Sequence, residues 1–395
     1  MLKTTPFHAR TAPLVLANAW RRWSGYSVAS SYDWNADREY AAIRSAAALL
    51  DVSPLHKYLI EGMDAARLLD RMVTRSVQKM QIGQVIYTPW CDGEGKVIDD
   101  GTVTRLDDQR FRLTSGEPGL AWLRQNAFGL SVSISEVTES LAALALQGPL
   151  SRDVLNSVCA APLDGLRYFR MAPNAIAEVG IEISRTGYTG DLGYEIWMPA
   201  AQALPIWDAL MRAGQDYGVV PAGIWALDVA RIEAGLIMLD VDYHSSHRAM
   251  IDAQKSSPYE LSLDWAVQLD KGPFNGRRAL RAELARGVAW RFVGIEVEWD
   301  SLEALYAPYD LQPSLPMIPW RTSTPLYRSG RQIGYASSGC WSALLKRYIA
   351  VGHVHAGEAG PDTAVEMEIT VEHQRQRAAS RIRKLPFFDP PRKRA

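Results

Sequence analysis

The chain has 395 residues, enough for two or three domains with sizeable cores, and its 47% hydrophobic and 22% charged content is that of an ordinary globular protein. A net charge of −1, from 43 basic and 44 acidic residues, gives no global attraction to nucleic acid or to a membrane surface. Cys91, Cys159 and Cys340 lie far apart with no C-x-x-C pair, which argues against a disulfide framework and a cysteine-built zinc site and makes the cytoplasm the default compartment.

The apolar run 12–19 follows Lys3 and Arg10 but is short and broken by Pro13, so no secretory leader is expected. No run of about 18 apolar residues predicts a membrane span. Residues 39–50 are alanine-rich with apolar residues at helical spacing and predict a helix. Residues 58–60 read as a strand and 64–73 as a helix. Residues 97–106 and 111–114 form a predicted hairpin turning at Asp107-Asp108-Gln109. An apolar strand at 142–146 stops at Gly148-Pro149, and a helix at 150–158 follows, with Ser151 as its expected cap. Helices are predicted at 201–217 and 224–236.

Beyond about residue 285 the pattern turns to strands, at 290–298, 332–338, 348–353 and 364–371, with little helix. A small all-β domain, a barrel, is expected over 286–395. Between its first two strands lie residues 300–329, rich in proline and tyrosine, read as a long loop packed over a site. The basic end, 390–395, reads as a tail.

Three segments carry chemistry. In Ser184-Arg185-Thr186-Gly187-Tyr188-Thr189-Gly190-Asp191-Leu192-Gly193-Tyr194-Glu195, three glycines allow tight turns and close approach, and the run delivers a carboxylate into an apolar strand. Such a carboxylate suits a flat N–H-bearing ring; a surface hairpin with an exposed Glu195 fits the spacing equally. In residues 87–101, a turn at Asp92-Gly93-Glu94-Gly95 precedes Asp99 and Asp100. Strand alternation sends one of the two into a pocket and the other to solvent, or marks only a charged strand end. In residues 226–236, Arg231 stands one turn from Asp228 and can pair with it, which is also the mark of a structural ion pair, while Glu233 faces elsewhere.

Together these motifs resemble the aminomethyltransferase (glycine-cleavage T-protein) family of tetrahydrofolate enzymes. The matching elements are Asp51-Val52-Ser53, Gly95 to Asp100, Gln147-Gly148-Pro149, Ser184 to Glu195 and Arg231 to Gly235, in the family's order. The resemblance spans about residues 23–387 and implies an α+β fold, a three-domain cloverleaf around a central folate channel. It implies a folate-binding region of two interleaved domains over 1–285 and a C-terminal β-barrel over 286–395 with 300–329 inserted. Tetrahydrofolate is then the cofactor. By family position Asp100 lies near the reacting N5/N10 side and Glu195 takes hydrogen bonds from the pterin. Tyr87, Ser115 (the family's usual residue is Asn), Tyr168 and Tyr188 line the pterin pocket, and Arg231 contacts the folate tail.

Departures from the T-protein pattern fall at Pro54-Leu55-His56, Asp191-Leu192 and Leu227, in the longer stretch 239–259, and in the insertion 300–329. A comparable insertion occurs in the family's folate-dependent demethylase branch. That resemblance implies methyl transfer from a small O-, N- or S-methylated compound to give 5-methyl-tetrahydrofolate. The alternative is an aminomethyltransferase of the glycine cleavage system, using a lipoyl carrier protein and giving 5,10-methylene-tetrahydrofolate. A third reading is a non-catalytic folate-binding protein. A demethylase needs a proton source near the leaving atom. His56, Tyr243, His244 and His247 are candidates, each in a segment where the pattern breaks, and any one of them can equally be a packing or surface residue. Trp90, Trp225 and Trp341 either cage a methylated substrate or pack as core residues. No metal, nucleic-acid or membrane partner is expected.

Overall fold

The computed structural model describes residues 2–316 and 318–395. A five-stranded antiparallel sheet runs in the order Val85–Cys91, Val97–Arg105, Arg110–Ser115, His56–Glu61, Ser133–Glu136. The predicted hairpin is there, turning at residues 107–109. Helix Ala65–Met72 presents Leu68, Leu69 and Met72 to Phe111 and Leu113 of this sheet, the apolar stripe read from its 3.6-residue spacing.

A six-stranded sheet has the order Met171–Ile176, Val179–Ser184, Gly193–Pro199, Leu141–Gln147, Ala48–Asp51, Val220–Pro221. Strand Leu141–Gln147 is buried on both faces, which is why it reads as an unbroken apolar run. Leu144 and Leu146 meet helices Ser151–Val158 and Ala203–Ala213, while Ala143 and Ala145 meet Asp37–Ser45 and Ile224–Glu233. Small residues on that second face let the two helices come close to the sheet.

Residues 39–50 are not one helix. The helix is Asp37–Ser45, and Ala48–Asp51 is a strand whose residues pair with Leu144–Gln147. Burial and pairing in the sheet outweigh alanine's helix preference. Ser151 is not the cap either. Leu150 holds the N-cap position, and the Ser151 hydroxyl is buried with no hydrogen-bond partner among the described residues.

The C-terminal strands form a closed barrel: Trp290–Val297, Arg347–His355, Arg331–Ser342, Thr324–Arg328, Ala364–Val371, Gln374–Arg383. The insertion is not a bare loop. It opens with helix Trp299–Tyr306, whose Leu302 and Tyr306 enter the barrel core, and closes with strand Thr324–Arg328. The tail is docked: Arg392 Nε and Nη2 donate to Asp191 at 2.6 and 2.8 Å, and Arg185 donates to the carbonyl of Ala395. A small sheet of Lys3–Thr4, Tyr26–Ala29 and Trp20–Trp23 completes the fold.

Candidate functional site

A cavity of about 1430 Å³ lies where these lobes meet. Every lobe contributes to its wall: Arg21 and Trp23, Tyr87 and Asp100, Glu195 and Trp197, Phe292 and Arg383. Pockets for a single small ligand usually stay under about 1,000 Å³, so this cavity is larger than one small ligand needs.

The motifs far apart in sequence interlock at this wall. Strand pairing sets Gln147 opposite Gly193. The Gln147 amide then threads the glycine turn, donating to Thr186 O (3.2 Å) and Tyr194 O (3.3 Å) and accepting from Thr189 Oγ1 (2.9 Å). A Cβ on Gly187 or on Gly193 would lie 2.5 Å from Gln147 Nε2. Gly190 alone of the three has a positive φ, +72°, and packs against Ala234. So the run is glycine-rich mainly for close approach, and only once for backbone freedom.

This frame aims Glu195 into the cavity. Thr186 Oγ1 donates to its Oε2 at 2.6 Å, leaving acceptor capacity toward the cavity. Burial pushes the Glu195 carboxyl above the usual range, and the Thr186 bond opposes that.

Asp99 and Asp100 do not divide between pocket and solvent. Asp99 is buried, Asp100 is half-buried, and both line the cavity. A register shift between Trp90 and Cys91 on the neighbouring strand breaks the regular pairing beside them. Asp99 accepts from the amides of Glu117 (2.9 Å) and Asp100 (2.8 Å). The Tyr243 hydroxyl donates to Asp100 and lies 3.4 Å from Asp99 Oδ1. Burial raises both carboxyls; the charge of Asp100 raises Asp99 further, while the Tyr243 and Tyr87 hydroxyls hold Asp100 down. Tyr243 thus stands behind the acidic pair, but it is buried and not part of the cavity wall, so it touches a reactant only through Asp100.

Tyr87, Ser115, Tyr168 and Tyr188 also line the cavity. Tyr188 is held by donating to Ile237 O, and Ser115 by donating to Glu117 O at 2.8 Å.

Other expectations are corrected. Arg231 is fully buried and is not part of the cavity wall; Asp228 (3.3 Å) and Asp242 (2.5 Å) take its guanidinium. Asp242 is eleven residues on and carried no signal for this pairing. His56 turns toward Glu136 on the outer strand, 3.5 Å away, and is absent from the wall. His244 is exposed beside Asp240, and His247 packs edge-on against Trp122, so neither reaches the acidic pair. Trp90 is core, Trp225 lies on helix Ile224–Glu233 and packs on the core beside it, and Trp341 packs on Trp299; none is part of the cavity wall.

Sequence reasoning missed Trp265, which lines the cavity, is 60% exposed, and stacks on Tyr87 at 5.7 Å. It also missed Arg21 and Arg321. Arg321 had one available signal: a cation beside Trp320 inside the proline-rich insertion. Among the described residues, no group of three or more His, Cys, Asp or Glu is placed to hold a metal ion, and no helix is long and apolar enough to cross a membrane.

A multi-lobed α+β scaffold with a closed C-terminal barrel and a large central cavity defines the class: a protein of the T-protein fold. The GCVT N-terminal domain model matches residues 5–271, and the glycine cleavage T-protein C-terminal barrel model matches residues 310–389. The chain belongs to the GCVT family. It is 32% identical over 354 residues to an aminomethyltransferase of Halothermothrix orenii, covering 89% of this chain and 90% of the relative. It is 33% identical over 359 residues to an aminomethyltransferase of Moorella thermoacetica, covering 90% of each. Its fold is similar to the glycine cleavage system aminomethyltransferase T of Bartonella henselae, with TM-score 0.83, 24% identity, and coverage of 98% of this chain and 99% of that one.

Proposed function

We propose that the protein transfers a one-carbon group to tetrahydrofolate in the central cavity, as an aminomethyltransferase. The observation that carries this is the Glu195 carboxylate, fixed by Thr186 and the Gln147 frame and open to a cavity larger than one small ligand needs. A pterin is a planar ring with adjacent N–H donors, and a buried carboxylate is a two-point acceptor for it. Tyr87, Ser115, Tyr168 and Tyr188 would line its ring, and the exposed face of Trp265 would stack on its aryl portion. When bound, tetrahydrofolate supplies the nucleophilic amine that accepts the carbon.

The chain's own work is to orient and to manage protons. The lobes enclose both reactants and position them, which supplies much of the rate enhancement in such transfers. Asp100, whose carboxyl burial raises and two phenols partly hold down, would accept a hydrogen bond or a proton at the reacting side. The names of the relatives favour the aminomethyl group, and under this reading a lipoyl carrier protein would bear the donor. Scattered free thiols fit a reducing compartment, the cytoplasm.

A second reading, demethylation of a small methylated compound, rests on the departures from the T-protein pattern, and in it Tyr243 would act only through Asp100, to which its buried hydroxyl donates. Mass spectrometry of the folate product decides. Tetrahydrofolate incubated with aminomethyl-lipoyl carrier should give 5,10-methylene-tetrahydrofolate and ammonia. Appearance of 5-methyl-tetrahydrofolate with methoxy-aryl, betaine or methylthio donors, and nothing with the carrier, supports the second reading instead.

A further inference from the structure

Where the family's arginine is replaced by Leu227, the cavity wall carries cations from two other places. Strand Trp20–Trp23 brings Arg21, and the insertion brings Arg321. One buried carboxylate, Asp228, stands beside both and bonds only Arg321. Arg321 donates to Asp228 Oδ2 through Nε at 2.8 Å, and its Nη2 lies 2.6 Å from the same oxygen. Arg231 takes Asp228 Oδ1 at 3.3 Å. Arg21 Nη1 stands 3.8 Å from Asp228 Oδ2, too far to bond it, and among the described residues this buried nitrogen has no hydrogen-bond partner.

The charges do not cancel. Within this cluster three guanidiniums, Arg21, Arg231 and Arg321, face two carboxylates, Asp228 and Asp242, one positive charge in excess. Burial and the neighbouring Arg321 charge hold the Arg21 guanidinium below its usual pKa, as expected of a cation without its counter-ion. The surrounding wall is apolar: Trp23, Ile224 and Leu227. A planar monoanion on an organic scaffold fits two guanidinium forks set among apolar side chains.

The insertion is anchored so that Arg321 cannot swing freely. Trp320 exchanges backbone hydrogen bonds with Gly339 (2.9 and 3.1 Å), and its indole N–H donates to the Tyr348 hydroxyl at 2.9 Å. Its ring covers Gly339, where a Cβ would lie 2.6 Å from indole Cε2. The barrel therefore fixes the residue next to Arg321.

We propose that Arg21 and Arg321 form a carboxylate-binding subsite on the wall of the central cavity, with Asp228 as its buried support. The proposal rests on the transferase reading of this cavity and deepens it. The carboxylate is either on the glutamate tail of the folate or on the one-carbon donor.

Full-length wild type, Arg321→Gln and Arg21→Gln are titrated calorimetrically with 5-formyl-tetrahydrofolate and with its glutamate dimethyl ester. They are then titrated with 4-methoxybenzoate, betaine and the corresponding amides. Thermal unfolding checks that each variant is folded; Arg21→Gln leaves Asp228 paired to Arg231 and Arg321, so it keeps the test open if Arg321→Gln is unstable. If the subsite takes the folate tail, wild type prefers the free acid over the ester by about tenfold or more, and the variants lose that preference. If it takes the donor, acid and ester bind alike, and a carboxylate probe binds wild type about tenfold more tightly than the variants while its amide does not. The proposal is overturned if acid and ester bind alike and no carboxylate probe senses either variant. Wild type binding neither folate form would overturn the folate reading, while the carboxylate probes would still judge the subsite.

Discussion

The side-chain amide of Gln147 fills the space that a side chain on Gly187 would need. The two residues are forty positions apart, yet the strand pairing of Gln147 with Gly193 sets the amide inside the turn. Gly187→Ala should therefore destabilise the protein by about 2 kcal/mol or more, through overpacking against a buried, hydrogen-bonded amide. Gly165→Ala is the control, because nothing lies within 4 Å of a Cβ there. Urea denaturation measures both. Equal midpoints for the two variants would show that the turn tolerates a side chain.

Tyr243→Phe removes a hydroxyl that favours the ionised form of Asp100. Burial already raises the Asp100 carboxyl, and the phenol counteracts it. Without the phenol the carboxyl rises further, so the acid limb of kcat/KM should move to higher pH, by about one unit for one hydrogen bond. Tyr87 and Asp99, which also face Asp100, remain in place. An acid limb that stays still or moves down would exclude this coupling.

How much of this was legible follows from where each signal lay. The apolar spacing of Ala65–Met72 and the hairpin at 97–115 involve contacts with one partner surface, and local pattern carries them. The motif order identified the wall that holds Glu195, because glycines and a glutamine at fixed positions are the sequence trace of the interlock. What was illegible depended on distant partners. Ala48–Asp51 is a strand because Leu141–Gln147 lies beside it. Arg231 is buried because Asp242 folds back onto it. Arg321 reaches Asp228 only because Trp320 is pinned to Gly339. His56 and His244 stood in broken motifs, but a broken motif does not say which way a ring points.

Lys57 gives a prediction on stability. It is fully buried, its ammonium donates to Ser53 O at 2.7 Å, and burial lowers its pKa from 10.5 to about 7. The folded state therefore binds fewer protons than the unfolded state between these values, so stability rises as pH goes from about 7 toward 10.5 and is reduced below that window. Lys57→Met should flatten this rise. Urea unfolding at pH 7 and 9.5 tests it: wild type should gain stability at the higher pH relative to the variant, and parallel behaviour would contradict the assignment.

The central claim is that Glu195 holds the pterin of a reduced folate. Calorimetric titration of wild type and Glu195→Gln with 5-formyl-tetrahydrofolate tests it most directly. The account predicts binding by wild type and an affinity weaker by about tenfold or more in the variant, the loss of one charge-assisted bond. Equal affinity in the two proteins, or no binding by wild type, would contradict it.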